Sequence, residues 1–179
     1  MIQENNWNEY NLTNDLIITK NILFSNALFN CSQPIPELES NEYSAHRFEI
    51  NQLKICYRIA KVTPTKTGLF VTLWKRNENR IIEPFDLLDE IDAVIVSVRG
   101  KEKELGQFIF PKNILLEKGV FSTNNKEGKR AIRVYPPWSE VSSKQALQTQ
   151  KWQLHYFFEV IPEKAKLISD FLRDKVEKT

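Results

Sequence analysis

The chain has 179 residues, of which 41% are hydrophobic and 27% charged, with only 5 glycines. This length and composition favour one folded domain spanning 1–179 and exclude a disordered or fibrous chain. The formal net charge of +2 excludes a uniformly basic coat for nucleic acid, so any functional field depends on how the charges are distributed.

Hydrophobic periodicity and turn residues divide the chain into predicted elements. In order, these are a helix over 12–30, strands over 46–50, 53–61, 69–76, 92–98 and 105–110, a short helix over 111–116, a strand over 131–135, and helices over 143–160 and 163–178. The strands on either side of turn 63–68 are expected to form a hairpin. The α+β order predicts a mixed, mainly antiparallel sheet of about 6–7 strands, with the N-terminal helix and two C-terminal helices packed on it.

Two further features bear on location. Cys31 and Cys56 are the only cysteines, too few for a disulfide scaffold or a cysteine-rich metal site. Residues 1–11 lack a basic segment followed by an apolar core, and no later stretch approaches the roughly 20 apolar residues of a membrane span. The sequence therefore predicts a cytoplasmic protein without membrane insertion.

Cations and carboxylates are segregated along the chain. Segment 55–77 has five cations and no carboxylate, segment 78–92 has six carboxylates against a single Arg80, and segment 128–139 has three cations and no carboxylate. The small net charge therefore conceals at least two basic patches. Their cations are Arg58, Lys61, Lys66, Lys75 and Arg76 in the first patch, and Lys129, Arg130 and Arg133 in the second.

Aromatic rings accompany both basic patches. Alternation in 69–76 places Phe70 and Trp74 opposite an apolar face, and Tyr135 and Trp138 follow the second patch. Rings stack on bases while cations bind phosphates, so this pattern is typical of a nucleic-acid surface. The alternative is that these rings pack beneath a helix or anchor a loop.

The predicted helix 143–160 has a polar and aromatic face beside its core stripe. That face carries Gln145, Thr149, Trp152 and Tyr156. Amides and rings of this kind can hydrogen-bond to base edges and stack on heterocycles, and Gln150 joins them as a candidate. Gln is also simply a good helix former, so a boundary face without a ligand is the alternative.

No catalytic motif stands out. Neither His46 nor His155 has a metal-like spacing to another candidate ligand. Magnesium-dependent nucleases gather carboxylates before a buried strand, and such a group is present here but lacks a second strand-borne acid. Its members are Asp86, Asp89, Glu90 and Asp92. We expect no metal and no cofactor, and a divalent-metal-dependent nuclease or nucleotide-processing enzyme is the alternative.

Several sequence blocks, occurring in one order over about 42–158, resemble the MepB-like family. They are KVTPTKTG (61–68) with Phe70 and Trp74, GQFIFPK (106–112), GKRAIRVYPPW (128–138), TQKWQ (149–153) and YF (156–157). The resemblance implies a small bacterial intracellular protein, with nucleic-acid binding the favoured role, and it supplies no catalytic residues. The family takes its name from a protein encoded beside a multidrug efflux pump and its repressor. An efflux accessory protein that binds a drug or protein partner is therefore a second alternative.

The sequence thus predicts a nucleic-acid-binding protein that prefers single-stranded DNA or exposed bases, and DNA over RNA. The predicted phosphate contacts are Arg58, Lys61, Lys66, Lys75, Arg76, Lys129, Arg130 and Arg133. The predicted base contacts are Trp74, Tyr135, Trp138, Gln150 and Trp152.

Overall fold

A six-stranded sheet forms the centre of the computed structural model, which describes residues 5–177. The strands are β1 (Ile35–Pro36), β2 (His46–Ile50), β3 (Leu53–Ile59), β4 (Lys61–Val62), β5 (Leu69–Thr72), β6 (Trp74–Arg76), β7 (Ile82–Pro84), β8 (Ala93–Arg99), β9 (Leu105–Pro111), β10 (Ala131–Val134) and β11 (Phe157–Glu159). The α-helices are α1 (Asn14–Thr19), α2 (Lys112–Glu117), α3 (Lys144–Gln153) and α4 (Ala165–Phe171). π-Helical turns extend α1 over Lys20–Phe24 and α4 over Leu172–Glu177, and 3-10 turns lie at Asn41–Tyr43, Leu154–Tyr156 and Pro162–Lys164. The predicted α+β class is confirmed.

The strand order of the main sheet is β1-β2-β3-β8-β9-β11. Neighbouring strands are antiparallel except β3 and β8, which run parallel with Ile55 opposite Ala93. Strand β8 lies near the centre, and its residues 93–98 are all buried. A continuous β-branched and apolar run is what a strand covered on both faces requires, so the sequence identified this strand correctly.

Each face of the main sheet has its own hydrophobic core. One core is formed with the N-terminal segment, α1 and α4, and includes Trp7, Leu16, Phe24, Ile168 and Leu172. The other includes Val71, Leu73, Phe85, Leu115 and Phe121, and Trp152 of α3 packs against it. The main sheet is therefore a middle layer, with α3 on the face opposite α1 and α4.

The connection between the parallel strands β3 and β8 contains strands rather than a helix. It carries β4 and β5, which join β10 in a three-stranded sheet, and β6 and β7, which form a two-stranded sheet. The predicted hairpin around turn 63–68 is reduced to two pairs, Lys61 with Phe70 and Val62 with Leu69, because β3 pairs with β2 and β8 instead.

The first helical segment ends at Phe24, earlier than the predicted residue 30. Ser25 donates both its backbone N–H, at 2.7 Å, and its hydroxyl, at 3.0 Å, to the carbonyl oxygen of Lys20. The side chain of Asn26 then accepts from the backbone N–H of Leu28 at 3.0 Å. Such local bonds compete with helix continuation, and Phe29 turns into the core.

The prediction of helix over 157–160 is wrong, because β11 occupies 157–159. It pairs with the edge of β9, with Glu159 opposite Gly106. A Cβ at Gly106 would lie 2.4 Å from Cζ of Phe157, so the missing side chain makes room for this ring. The last helical segment begins at Pro162, close to the prediction, and its predicted end at residue 178 lies outside the described residues.

Two further observations concern membrane spans and cysteines in residues 5–177. No helix there combines the length and apolar character needed to cross a bilayer. Cys31 and Cys56 are free and buried, and burial raises the pKa of Cys31 to about 12.

Candidate nucleic-acid interface

A cleft of about 470 Å³ opens between strand β10 and helix α3. Its lining includes the cations Lys66, Lys118, Lys129 and Arg133, the rings of Tyr135 and Trp152, and the polar side chains of Ser143, Gln145, Thr149 and Gln153. Among the described residues, no Asp or Glu lines it. The cleft thus combines positive charge, aromatic rings and hydrogen-bonding groups.

Gln153 joins the two walls of the cleft. Strand β10 pairs with β5 along one edge only. On its other side, Gln153 accepts from the backbone N–H of Tyr135 at 2.9 Å and donates to the carbonyl oxygen of Arg133 at 2.9 Å. The amide therefore takes the place of a neighbouring strand. Gln153 is only 1% exposed, so both hydrogen bonds are protected from water.

Tyr135 and the loop that carries Lys66 are held together at Gly68. Gly68 has a φ of +79°, and a Cβ at this position would lie 2.5 Å from Cε1 of Tyr135. Glycine is required both by the left-handed backbone and by the close approach of the ring. This contact holds the loop that carries Lys66 against Tyr135, and both residues line the cleft.

Arg133 connects the cleft to the outer face of the three-stranded sheet. Its guanidinium lies 5.6 Å from the ring centroid of Phe70 and donates to the carbonyl oxygen of Gly68 at 3.3 Å. Phe70 in turn contacts the Tyr43 ring, over which Lys61 lies at 5.1 Å. Cations and rings therefore continue from the cleft along this face, in the order that the strand register sets.

Trp152 is held at the cleft by other rings. Its centroid lies 5.5 Å from that of Phe110 and 6.3 Å from that of Tyr156. The ammonium of Lys118 lies 5.8 Å from the Trp152 ring and forms an ion pair with Glu117 at 3.0 Å. The indole is therefore half-buried and fixed in position, with its accessible part in the cleft.

The electrostatic character of the cleft is positive. In the part of the chain that the structure describes, Lys66, Lys129 and Arg133 form no ion pair with a carboxylate. The first turn of α3, where Ser143 accepts from the backbone N–H of Ala146 at 3.1 Å, also lines the cleft. The positive end of the helix dipole adds to the field. An anionic ligand that carries a flat heterocycle suits this combination.

Arg58 does not belong to this surface, contrary to the sequence prediction. It is 1% exposed, because β3 lies inside the main sheet. Its guanidinium pairs with Glu37 and donates to the carbonyl oxygens of Tyr57, at 2.8 Å, and Thr72, at 3.3 Å. A buried cation with these partners is not available to a phosphate.

Lys75 is also taken up by internal partners. Its ammonium lies 2.7 Å from Asp86, 2.8 Å from Asp89 and 3.6 Å from Glu83. Burial opposes the charge of Lys75, but the hydrogen bonds to Asp86 and Asp89 outweigh it and raise the pKa of Lys75. Partial burial likewise acts to raise the pKa of Asp86, and the bond from Lys75 prevails and lowers it. Lys75 and the acidic segment therefore neutralise each other.

The nuclease alternative requires carboxylates that are placed to bind a metal ion. Asp92 accepts a hydrogen bond from the backbone N–H of Lys54 at 2.7 Å, and Glu90 pairs with the Lys54 ammonium at 2.7 Å. Over residues 5–177, no group of three or more His, Cys, Asp or Glu side chains is placed to hold a metal ion.

Three other predicted residues, Trp74, Arg76 and Arg130, have partners away from the cleft. Arg76 pairs with Glu39 at 2.7 Å and lies 5.4 Å from the Trp74 ring. Arg130 pairs with Glu127 at 2.7 Å. These side chains remain accessible at the surface but do not line the cleft.

Gln150 and Trp138 support the segment between β10 and α3. Gln150 donates to the carbonyl oxygens of Pro136, at 3.1 Å, and Ser139, at 3.3 Å. The Trp138 ring meets the Phe157 ring edge-on at 5.6 Å. Neither residue lines the cleft, but both hold the segment that connects its two walls.

The cleft brings together five residues of the predicted set, and Lys61 lies on the adjoining face. The five are Lys66, Lys129, Arg133, Tyr135 and Trp152. The helix face that carries Gln145 and Thr149 also lines it. Sequence reasoning missed Lys118 and Gln153. Gln153 ends a block already assigned to this surface, whereas nothing in the local sequence distinguishes Lys118 from a solvated lysine.

Comparison with known proteins relates this chain to the MepB-like family by sequence and by structure. The MepB-like family model matches residues 37–159. A crystal structure of MepB aligns with a TM-score of 0.72 and 35% sequence identity, covering 83% of this chain and 97% of that one. A bacterial homing endonuclease aligns over 78% of this chain and 82% of that one, with a TM-score of 0.38 and 11% identity. This TM-score is too low to bear on fold or function. Among the curated proteins, none matches significantly.

Proposed function

Since the chain belongs to the MepB-like family, we propose that it is a cytoplasmic nucleic-acid-binding protein that takes single-stranded nucleic acid or exposed bases into the cleft between β10 and α3. One observation carries the proposal: four cations and two aromatic rings line the cleft without a carboxylate among the described lining residues. Cations of this kind bind phosphates and release counterions, while rings stack on bases.

The preference for single strands follows from the position of Trp152. A duplex presents only base edges in its grooves, whereas an unpaired base presents its flat face to a ring. Stacking on one aromatic side chain contributes about 1–3 kcal/mol per base. The amide of Gln145 and the hydroxyl of Thr149 line the cleft and can hydrogen-bond to the edges of a stacked base.

Fluorescence anisotropy with labelled oligonucleotides tests the proposal. We expect tighter binding to a single strand of mixed sequence than to the matching duplex, and an affinity that falls as salt is added. If three to four phosphates are neutralised, the slope of log K against log salt is about −2 to −3, at about −0.7 per phosphate.

Charge reversal provides the matched control. We expect Lys129→Glu to weaken binding at least about tenfold, and Lys151→Glu, on the exposed part of α3 outside the cleft, to weaken it less than about threefold. Equal losses for the two variants, or no binding by the parent protein, would refute the proposal. Magnesium-dependent cleavage of the oligonucleotide, suppressed by chelator, would replace it with the nuclease alternative.

A further inference from the structure

We infer that the cleft recognises the end of a nucleic-acid strand, and that the preferred end is a nucleotide with a terminal phosphate monoester. The inference rests on the proposed function and makes it specific. Two properties of the cleft carry it, namely its size and its concentration of cations.

The size of the cleft suits one nucleotide unit. A volume of about 470 Å³ lies within the range of pockets that enclose a single small molecule. A strand that passed through would need several such units in a groove open at both ends. The cleft therefore matches a terminal unit better than an extended internal segment.

The segment that connects β10 to α3 ties the two walls of the cleft together. Strand β10 runs through segment 135–143 directly into α3, so the two walls are covalently joined there. Gln150 pins this segment to α3 through Pro136 and Ser139. Gln153 adds a second link through its hydrogen bonds to the backbone of Arg133 and Tyr135.

The cation content of the cleft exceeds what an internal nucleotide requires. An internal phosphodiester carries one negative charge, whereas a phosphate monoester carries about −1.5 to −2 at pH 7. Lys66, Lys129 and Arg133 line the cleft without a carboxylate partner among the described residues, and Lys118, which pairs with Glu117, adds a fourth ammonium or guanidinium group.

These cations come from separate parts of the chain. Lys66 lies in the loop before β5, Lys118 follows α2, and Lys129 precedes β10. Their convergence on one nucleotide-sized cleft is a product of the fold. A doubly charged phosphate accepts several charge-assisted hydrogen bonds at once, which favours the monoester over a single diester group.

Competition binding with single strands that differ only at their ends tests the inference. The set contains a strand with a 5′-phosphate, one with a 3′-phosphate, one with hydroxyls at both ends, and a hydroxyl-ended strand two nucleotides longer, whose two added phosphodiesters match the charge of the monoester. A covalently closed circle of the same composition has no end. We expect at least one phosphorylated strand to bind about tenfold tighter than the longer hydroxyl-ended strand, and the circle to bind no better than the latter.

Two further readouts separate the terminal phosphate from general charge. The advantage of the phosphorylated strand should shrink as the pH is lowered from 7.5 to 5.5, because the monoester loses its second charge near pH 6. Lys66→Gln and Lys129→Gln should each reduce that advantage, whereas Lys151→Gln should not. Equal binding of all strands and the circle would overturn the inference and leave the proposed function intact, whereas absence of binding to every oligonucleotide would overturn both.

Discussion

The side-chain amide of Gln153 accepts a hydrogen bond from the backbone N–H of Tyr135 at 2.9 Å, and by this bond a helix completes the open edge of a strand. The same amide donates to Arg133. A strand edge left unpaired and buried would be costly, since each unsatisfied backbone group loses its bonds to water. Gln153 thus supplies hydrogen-bond partners for the strand edge and joins the two walls of the cleft.

Gln153→Leu should destabilise the protein by about 2–3 kcal/mol, because the N–H of Tyr135 and the carbonyl oxygen of Arg133 would lose their partner in a buried setting. Urea unfolding followed by circular dichroism measures this change. Gln148→Leu, at an exposed position of the same helix, makes the same chemical change and should alter stability by less than about 0.5 kcal/mol. Comparable effects of the two substitutions would show that the Gln153 amide does not hold β10 to α3.

Trp152→Leu should weaken binding of single-stranded DNA by about 5- to 150-fold, the equivalent of the 1–3 kcal/mol lost with one stacked base. Trp74→Leu changes the same residue type outside the cleft and should alter affinity by less than about twofold. Anisotropy titrations, with thermal unfolding to verify that each variant is folded, distinguish the two sites. A larger loss at Trp74 would move the base-binding surface to the β6–β7 sheet.

Gly106→Ala should displace β11 from the edge of the main sheet, because the new methyl group would meet the Phe157 ring. We expect a loss of about 1–3 kcal/mol in the free energy of unfolding. The Phe157 ring cannot move freely, since it packs on Phe108 at 5.3 Å and on Trp138 at 5.6 Å.

A double-mutant cycle checks this contact. Phe157→Leu removes the ring that the methyl group would meet, so the double variant should be less destabilised than the sum of the single changes, by about 1 kcal/mol. Simple additivity in urea unfolding would contradict the proposed clash.

Lys75→Met should lower stability at pH 7 by about 1 kcal/mol and flatten the acid dependence of unfolding. The pKa of Asp86 in the folded protein lies below its usual 3.8, so its contribution is fully present above that pH and is lost as the pH falls through the lower, folded value. The pKa of Lys75 is raised above 10.5, so its contribution is present below that pH and is lost as the pH rises through the folded value.

Urea midpoints at pH 7, 4 and 3 measure the effect. The parent protein should lose more stability between pH 4 and pH 3 than the variant does. Lys166→Met removes an exposed pair with Asp170 and is the control, with an expected change of less than about 0.5 kcal/mol at every pH. Parallel pH profiles for the parent and Lys75→Met would contradict the assigned role.

Local pattern was sufficient for the strands of the main sheet that bury alternating or continuous apolar residues. Strands β2, β3, β8 and β9 follow the predicted ranges closely, because burial alternates along β2 and is continuous over most of β3, β8 and β9. Strand β11 could not be predicted in this way. Its helical periodicity continued from α3, and its pairing depends on the gap at Gly106, about fifty residues earlier in the chain.

The same distinction applies to the candidate site. Charge segregation identified Lys66, Lys129 and Arg133, which the fold brings to one cleft. It also selected Arg58, whose partner Glu37 lies on a distant segment that no local pattern connects with β3. A count of cations along the chain cannot tell a buried ion pair from an exposed one, since that depends on tertiary contacts.

Every described residue that lines the cleft lies in one of two long connections of the main sheet. One connection joins β3 to β8, and the other joins β9 to β11. Scaffold and recognition therefore occupy separate stretches of sequence. We therefore expect exchange of exposed cleft side chains such as Lys66 and Lys129 to leave the register of the six central strands unaltered, so that ligand preference can diverge between relatives, or be redesigned in the laboratory, on an unchanged frame.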